Sequence, residues 1–273
     1  MNLTKLAKKP KVFERLTGLS PQAFFALAAE LEPAWEKAEY RRLSRKERVR
    51  AIGGGNPYKL SFPLMLAMHC MYLRTYTSHM LLGMIFGVDD SRVCRYFRKL
   101  EPVVHARMKR ITIERIPLSE EEVLELIVDA TEQETERRPG SGYSGKKKRQ
   151  TVKTQVVVDT RGKIRHVSET VPGNLHDKKL YDQTGLSLPP ETLGDLGYLG
   201  IPIRIPHKSS KYHPLTKRER RENRAHATRR IVVEHVLAAL KQCRILSQRF
   251  RNTLTGYNRI FIIVAGLYNL RRT

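Results

Sequence analysis

Apolar residues recur at helical spacing over the first hundred positions. After about residue 120 they alternate or run together, so the pattern predicts a helical part followed by an α/β part. Residues 1 to about 50 read as helical, with an apolar stripe from Pro21 to Leu31 and then the charged run RRLSRKERVR. GGGNPYK at 53–59 interrupts this with three glycines and a proline, the composition of a turn or joint. Helical spacing resumes from Leu60 to Leu100.

Within that stretch, TSHMLLGMIFGVDDSRVCRYFRKL carries a finer pattern. Ser78 is placed to cap a helix bearing Leu81, Leu82 and Ile85, Gly87 to turn the chain, and Asp90 to cap a second helix. In the second helix Val93, Phe97 and Leu100 share one face, leaving Arg92, Arg95 and Lys99 outside. This is the layout of a helix-turn-helix with a basic recognition helix; an ordinary helical hairpin has the same periodicity.

Beyond residue 120, VLELIVDA reads as an apolar strand and RQTVKTQVVVDT as a second. DTRG reads as a turn and KIRHVSETV as a third strand. HDKKLYDQT has the spacing of a short helix, ETLGDLGY of a fourth strand and IPIRIPH of a fifth; a long helix follows from RAHATRR to about Phe250. Hairpin strands followed by strand–helix alternation predict a mixed sheet.

Charge then narrows the partner. The chain has 51 Lys+Arg against 27 Asp+Glu, a formal net charge of +24. Such a surplus neutralises phosphates and releases their counterions, which points to nucleic acid. An apolar content of 40% supplies a full core, unlike a basic tail. The connections RRPGSGYSGKKKR and HKSSKYHPLTKRERRENR concentrate the charge and suit contact with a DNA backbone. Cys70, Cys94 and Cys243 lack metal-type spacing and read as reduced core thiols; His207 and His213 in HKSSKYH, without a cysteine pair nearby, read as surface or phosphate-facing groups. Neither the amino-terminal stretch nor IFIIVAGLYNL approaches the ~20 apolar residues of a membrane span, so a cytoplasmic protein without membrane association is expected.

Three carboxylates stand out. Asp129 ends an apolar strand, where an unpaired charge is costly and a cation at the strand end would relieve it; the alternative is a cap or turn. Asp195 lies between Gly194 and Gly197, which permits either close ligand approach or a simple turn. Glu234 sits among Val232, Val233, Val236 and Leu237, in a helix expected to be largely buried, where it needs a partner. Arg230, Glu234 and Lys241 fall on one stripe of that helix, which allows an Arg230–Glu234 pair and a phosphate grip by Lys241. Carboxylates on two strand ends and a helix suit divalent cations beside a phosphodiester.

These segments resemble the DDE transposases of bacterial insertion sequences, in the group of insertion sequence family five and the Harbinger elements. The resemblance runs through the region at about 77–100, VDATE, PGNLHD, GDLGY, VEHVLAALK and IVAGLYNLRR. It implies a helical region over 1–119 with the helix-turn-helix for DNA ends, and a ribonuclease-H-like catalytic domain over 120–273. It implies that Asp129, Asp195 and Glu234 are the catalytic acids and ligands of two Mg²⁺ ions, with Mn²⁺ as substitute. Arg230 and Lys241 match the family's tyrosine, arginine, glutamate and lysine signature, whereas the tyrosine position holds Ala227. His176 and Asp177 in GNLHD are accessory candidates, and Arg92, Arg95, Lys99, Arg230 and Lys241 are candidate DNA contacts.

The implied activity is Mg²⁺-dependent cleavage at transposon ends and transfer of the 3′-OH into target DNA. The implied partners are double-stranded terminal inverted repeats and target DNA, bound by a dimer or higher multimer near the nucleoid. A non-mobile nuclease of the same fold and a domesticated DNA-binding regulator are the competing expectations.

Overall fold

The computed structural model describes residues 1–44, 51–52, 57–112 and 125–272. Most of RRLSRKERVR, the GGGN of the glycine-rich joint, the first residues of VLELIVDA and the expected boundary at 119/120 lie outside the described residues.

Among the described residues, six α-helices come first: α1 Leu3–Ala7, α2 Pro10–Thr17, α3 Pro21–Leu43, α4 Phe62–Thr75, α5 His79–Phe86 and α6 Asp90–Thr112. Ser20 caps α3 through the Ala23 N–H, and Pro21 fits the first turn, where its missing donor costs nothing. α4 is buried along most of its length because the other helices surround it. Ser78 Oγ accepts the Leu81 N–H at 3.2 Å, and Gly87 ends α5 at φ 69°. The cap of α6 is corrected by one residue. Asp89, not Asp90, accepts the first helical bonds through its carbonyl, and its Oδ1 accepts the Arg92 N–H at 2.9 Å. Val93, Phe97 and Leu100 all face the core.

The sheet is built on β1 Leu126–Glu134 and β3 Arg149–Asp159, antiparallel with Leu126 opposite Asp159 and Glu134 opposite Thr151. The other edge of β3 carries β2 Gly142–Ser144, β5 Val171–Pro172 and β4 Ile164–Val167. The expected fourth and fifth strands shrink to single parallel bridges, Leu193 with Ile127 and Leu193 with Arg204. Leu193 N–H donates to Leu126 O at 2.8 Å, and Arg204 N–H to Thr192 O at 2.9 Å. Extension is blocked because Pro189, Pro190, Pro202 and Pro206 lack donors. Asp195 then bends the chain into a 3₁₀ turn at Leu196–Tyr198.

α7 Asp177–Thr184 covers one face of the sheet, where Leu126, Val128 and Val157 pack with Leu188, Tyr198, Ile201 and Ile203. α8 Lys217–Lys241 covers the other. It starts earlier than expected because Thr216 and Glu219 form a reciprocal capping box. It ends short of Phe250, whose N–H leaves the helix to donate to Glu134 O at 2.8 Å.

The core under α8 continues without a break through α9 Tyr257–Leu270 into α6 and α4, so sheet and amino-terminal helices share one interior. α9 approaches α6 at Gly266, where a Cβ would stand 2.6 Å from the Met108 side chain. Buried Asn269 ties three elements by bonding the N–H and C=O of Ile164 and the C=O of Ile111. The whole is a mixed ribonuclease-H-like α/β sheet with flanking helices, preceded by a helical region.

Candidate active site

β1 loses its parallel neighbour after Val128, because Leu193 bonds only to Leu126 and Val128. Asp129 is the fourth of the nine residues of β1, not its end as expected, and it emerges where the sheet edge opens, with one oxygen accepting the Ala130 N–H at 2.8 Å. Burial pushes its carboxyl up to about 6. Arg230 and the Ala130 N–H oppose the rise, while Asp195 and Asp177 add to it.

Those two aspartates come from the segments beside the open sheet edge. Asp195 Oδ1 accepts the Gly197 N–H at 2.8 Å and starts the 3₁₀ turn. Asp177 is the first residue of α7. Both lean over Gly197, where an added Cβ would meet Asp177 Oδ2 at 2.6 Å and Asp195 Oδ1 at 2.9 Å. Only glycine leaves room for both carboxylates. The neighbouring Tyr198 is buried, its hydroxyl has no hydrogen-bond partner, and burial with the nearby aspartates raises its pKa.

Lys153, on β3 opposite Glu132, donates to Asp177 Oδ1 at 2.9 Å and to the Leu175 carbonyl at 2.7 Å. Neither Lys153 nor Tyr198 stood out among the sequence candidates. The available signal for the lysine was a single cation within the otherwise uncharged run TVKTQVVV.

α8 lies alongside. Arg230 Nη2 stands 3.6 Å from Asp129 Oδ2. The expected burial of Glu234 is corrected: Val233, Val236, Leu237 and Leu240 make the buried stripe, Val232 is partly buried and Glu234 is exposed. Glu234 follows Val233 by ~100° around the helix, which turns it off that stripe. Among the described residues, no three His, Cys, Asp or Glu side chains are grouped closely enough to hold an ion.

Beyond Asp129, β1 borders a cavity of about 400 Å³ lined in part by Glu132, Lys147, Arg149, Thr151, Lys241 and Ser247. Burial, with Lys147 adding, holds the Lys241 ammonium below its usual range against the pull of Asp129 and Glu132. This cavity presents cations next to the carboxylates, an arrangement suited to a phosphate chain.

The other candidates lie elsewhere. His176 is exposed at the N-cap position of α7 and makes no side-chain cap bond. Arg92 and Arg95 are exposed on α6, with Asp89 at 3.2 and 4.0 Å. Lys99 folds back onto Tyr58, donating to its hydroxyl at 2.6 Å, with Glu39 at 3.8 Å. His207 is engaged by Glu222 at 2.7 Å. The three cysteines are free thiols, of which only Cys70 is fully buried. No described helix is long and apolar enough to cross a membrane.

The donors at this open sheet edge are carboxylate oxygens, the hard ligands that Mg²⁺ prefers. The raised Asp129 pKa and the unpartnered Tyr198 hydroxyl mark a place where a cation fits the local charge. Residues 128–269 match the family described as DDE superfamily endonuclease, and residues 58–110 match the helix-turn-helix of DDE superfamily endonuclease. The chain is 29% identical over 272 residues to a protein of Microchaete diplosiphon assigned as transposase for insertion sequence element IS702, covering 94% of this chain and 93% of that one. It is 27% identical over 273 residues to a protein of Streptomyces albus G assigned as transposase for insertion sequence element IS112, covering 98% and 97%. No solved structure matches. One family description thus spans more than half of the chain, from near the start of β1 through α8 to α9, and the protein belongs to the DDE superfamily endonucleases.

Proposed function

We propose that the protein is the transposase of a bacterial insertion sequence, cutting the ends of its element and joining the freed 3′-OH to target DNA. The observation that carries this is the approach of Asp129 and Asp195 at the open sheet edge, beside α8 and a cavity that includes Lys147, Arg149 and Lys241. Its support from relatives is their near-complete coverage of both chains.

In this reading Asp129, Asp195 and Glu234 hold two Mg²⁺ ions, with Mn²⁺ able to substitute. Such ions would supply activation of the attacking water or 3′-OH and charge stabilisation of the leaving oxygen at phosphorus. Arg230 neutralises part of the charge on Asp129 and orients it. Lys241 holds the phosphate chain in the cavity next to β1, while Arg92 and Arg95 on α6 engage the terminal repeat. Lys99 serves DNA only after leaving Tyr58 and Glu39. His176 and Asp177 are accessory groups at the start of α7. Two ends are processed together by a dimer or larger assembly on DNA, in the cytoplasm at the nucleoid.

The test is incubation of a labelled DNA end, taken from the flanks of the gene, with target DNA in Mg²⁺ or EDTA. Joined product in Mg²⁺ alone is expected. Cutting without joining would replace the reading with a non-mobile nuclease, and binding without chemistry with a DNA-binding regulator.

A further inference from the structure

Among the described residues, Lys153 is the sheet cation bonded to one of the aspartates. Its side chain is only 10% exposed, on β3 and cross-strand from Glu132. A lysine so buried needs partners, and its ammonium has three: Asp177 Oδ1 at 2.9 Å, the Leu175 carbonyl at 2.7 Å and Glu132 Oε1 at 3.8 Å. Thr151 Oγ1 fixes the other Glu132 oxygen at 3.2 Å.

The consequence falls on Asp177. One of its oxygens is committed to Lys153, and the other leans over Gly197 toward Asp195. The Leu175 carbonyl bond ties the turn before α7 to the sheet, so position and charge of Asp177 are set together. The charges of Asp195 and Asp177 reach Asp129, and the fixed ammonium bonded to Asp177 offsets part of that negative charge.

We propose that Lys153 is a positioning residue of the DDE site: it holds Asp177 as a paired carboxylate beside Asp195 and keeps it from joining Asp129 and Asp195 as a cation ligand. This rests on the reading of the aspartates as a divalent-metal site. It gives Asp177 a role apart from the proposed catalytic acids.

The test uses the full chain and compares the parent with Lys153→Met, Lys153→Arg and Lys153→Met/Asp177→Asn. Mn²⁺ binding is measured by calorimetry without DNA, and end cleavage is measured in saturating Mn²⁺. Lys153→Met is expected to bind Mn²⁺ about fivefold more tightly, because a freed carboxylate adds to the ligands, yet to cleave about tenfold more slowly. Damage to the fold would weaken both. Lys153→Arg is expected to stay close to the parent in both measurements, and the double variant to return to the parent's Mn²⁺ affinity.

Parent-like binding and cleavage in Lys153→Met would overturn the proposal, as would weaker Mn²⁺ binding or a double variant no closer to the parent than the single one. A parent that binds Mn²⁺ but cuts no DNA end would overturn the transposase reading and leave the lysine's role standing on the binding data. A parent that binds no Mn²⁺ would overturn both.

Discussion

Arg230 on α8 reaches across to Asp129 on β1, with Nη2 3.6 Å from Oδ2, and so joins the helix to the sheet at the candidate active site. The pair is only partly compensating. Burial outweighs the guanidinium and leaves the Asp129 carboxyl near 6.

That raised value makes Asp129 a stability liability in the absence of metal. The folded chain holds the Asp129 proton up to about 6, whereas an unfolded aspartate releases it near ~3.9. A raised carboxylate pKa therefore favours the fold while the group is protonated and disfavours it as pH climbs from about 4 through about 6. In EDTA at pH 7.5, Asp129→Asn is expected to unfold at higher denaturant than the parent, by about 1–3 kcal/mol, with the gap closing as pH falls toward 4. Denaturation curves across that range check it; equal stability at every pH would contradict it.

On α6 the basic residues should divide. Arg95 is exposed and engages only local groups, so Arg95→Ala is expected to weaken DNA-end binding and lower the log–log salt slope by about 0.9, the loss of one phosphate contact. Lys99→Ala should instead lower stability, because Lys99 caps the Tyr58 ring and joins Glu39. Salt titrations of binding, paired with melting curves, separate the two outcomes.

Asn269 should be costly to remove. Asn269→Ala leaves the buried Ile164 amide without its partner and frees the carbonyls of Ile164 and Ile111. A loss of about 2–4 kcal/mol is expected in chemical denaturation. A change below about 1 kcal/mol would show that water replaces the side chain.

The helices and the long hairpin were legible in the sequence because each depends on local periodicity and caps; the expected strand end at Asp129 was not, because the apolar run stops there while the backbone ladder with β3 continues to Glu134. Ser78 and Gly87 acted where the pattern placed them; the α6 cap moved to Asp89 because adjacent aspartates offer the same chemistry and only the backbone decides. The fourth and fifth strands could not be read correctly from their apolar alternation. Their prolines leave enough donors for one bridge each and no more. The exposure of Glu234 was hidden for a related reason, since valines around a glutamate do not reveal which side of the helix meets the sheet. Lys153 depends on a turn 22 residues away in sequence, beyond the reach of any local pattern.

The central claim is that Asp129, Asp195 and Glu234 carry the chemistry on DNA ends. Its most direct test is the rate of Mg²⁺-dependent end cleavage in Asp129→Asn, Asp177→Asn, Asp195→Asn and Glu234→Gln, each confirmed to bind DNA like the parent. Losses of about three orders of magnitude or more, some 4 kcal/mol of barrier, are expected for Asp129, Asp195 and Glu234, with a smaller loss for Asp177. Parent-like cleavage by Glu234→Gln together with complete loss in Asp177→Asn would contradict the assignment and make the three converging aspartates the catalytic set.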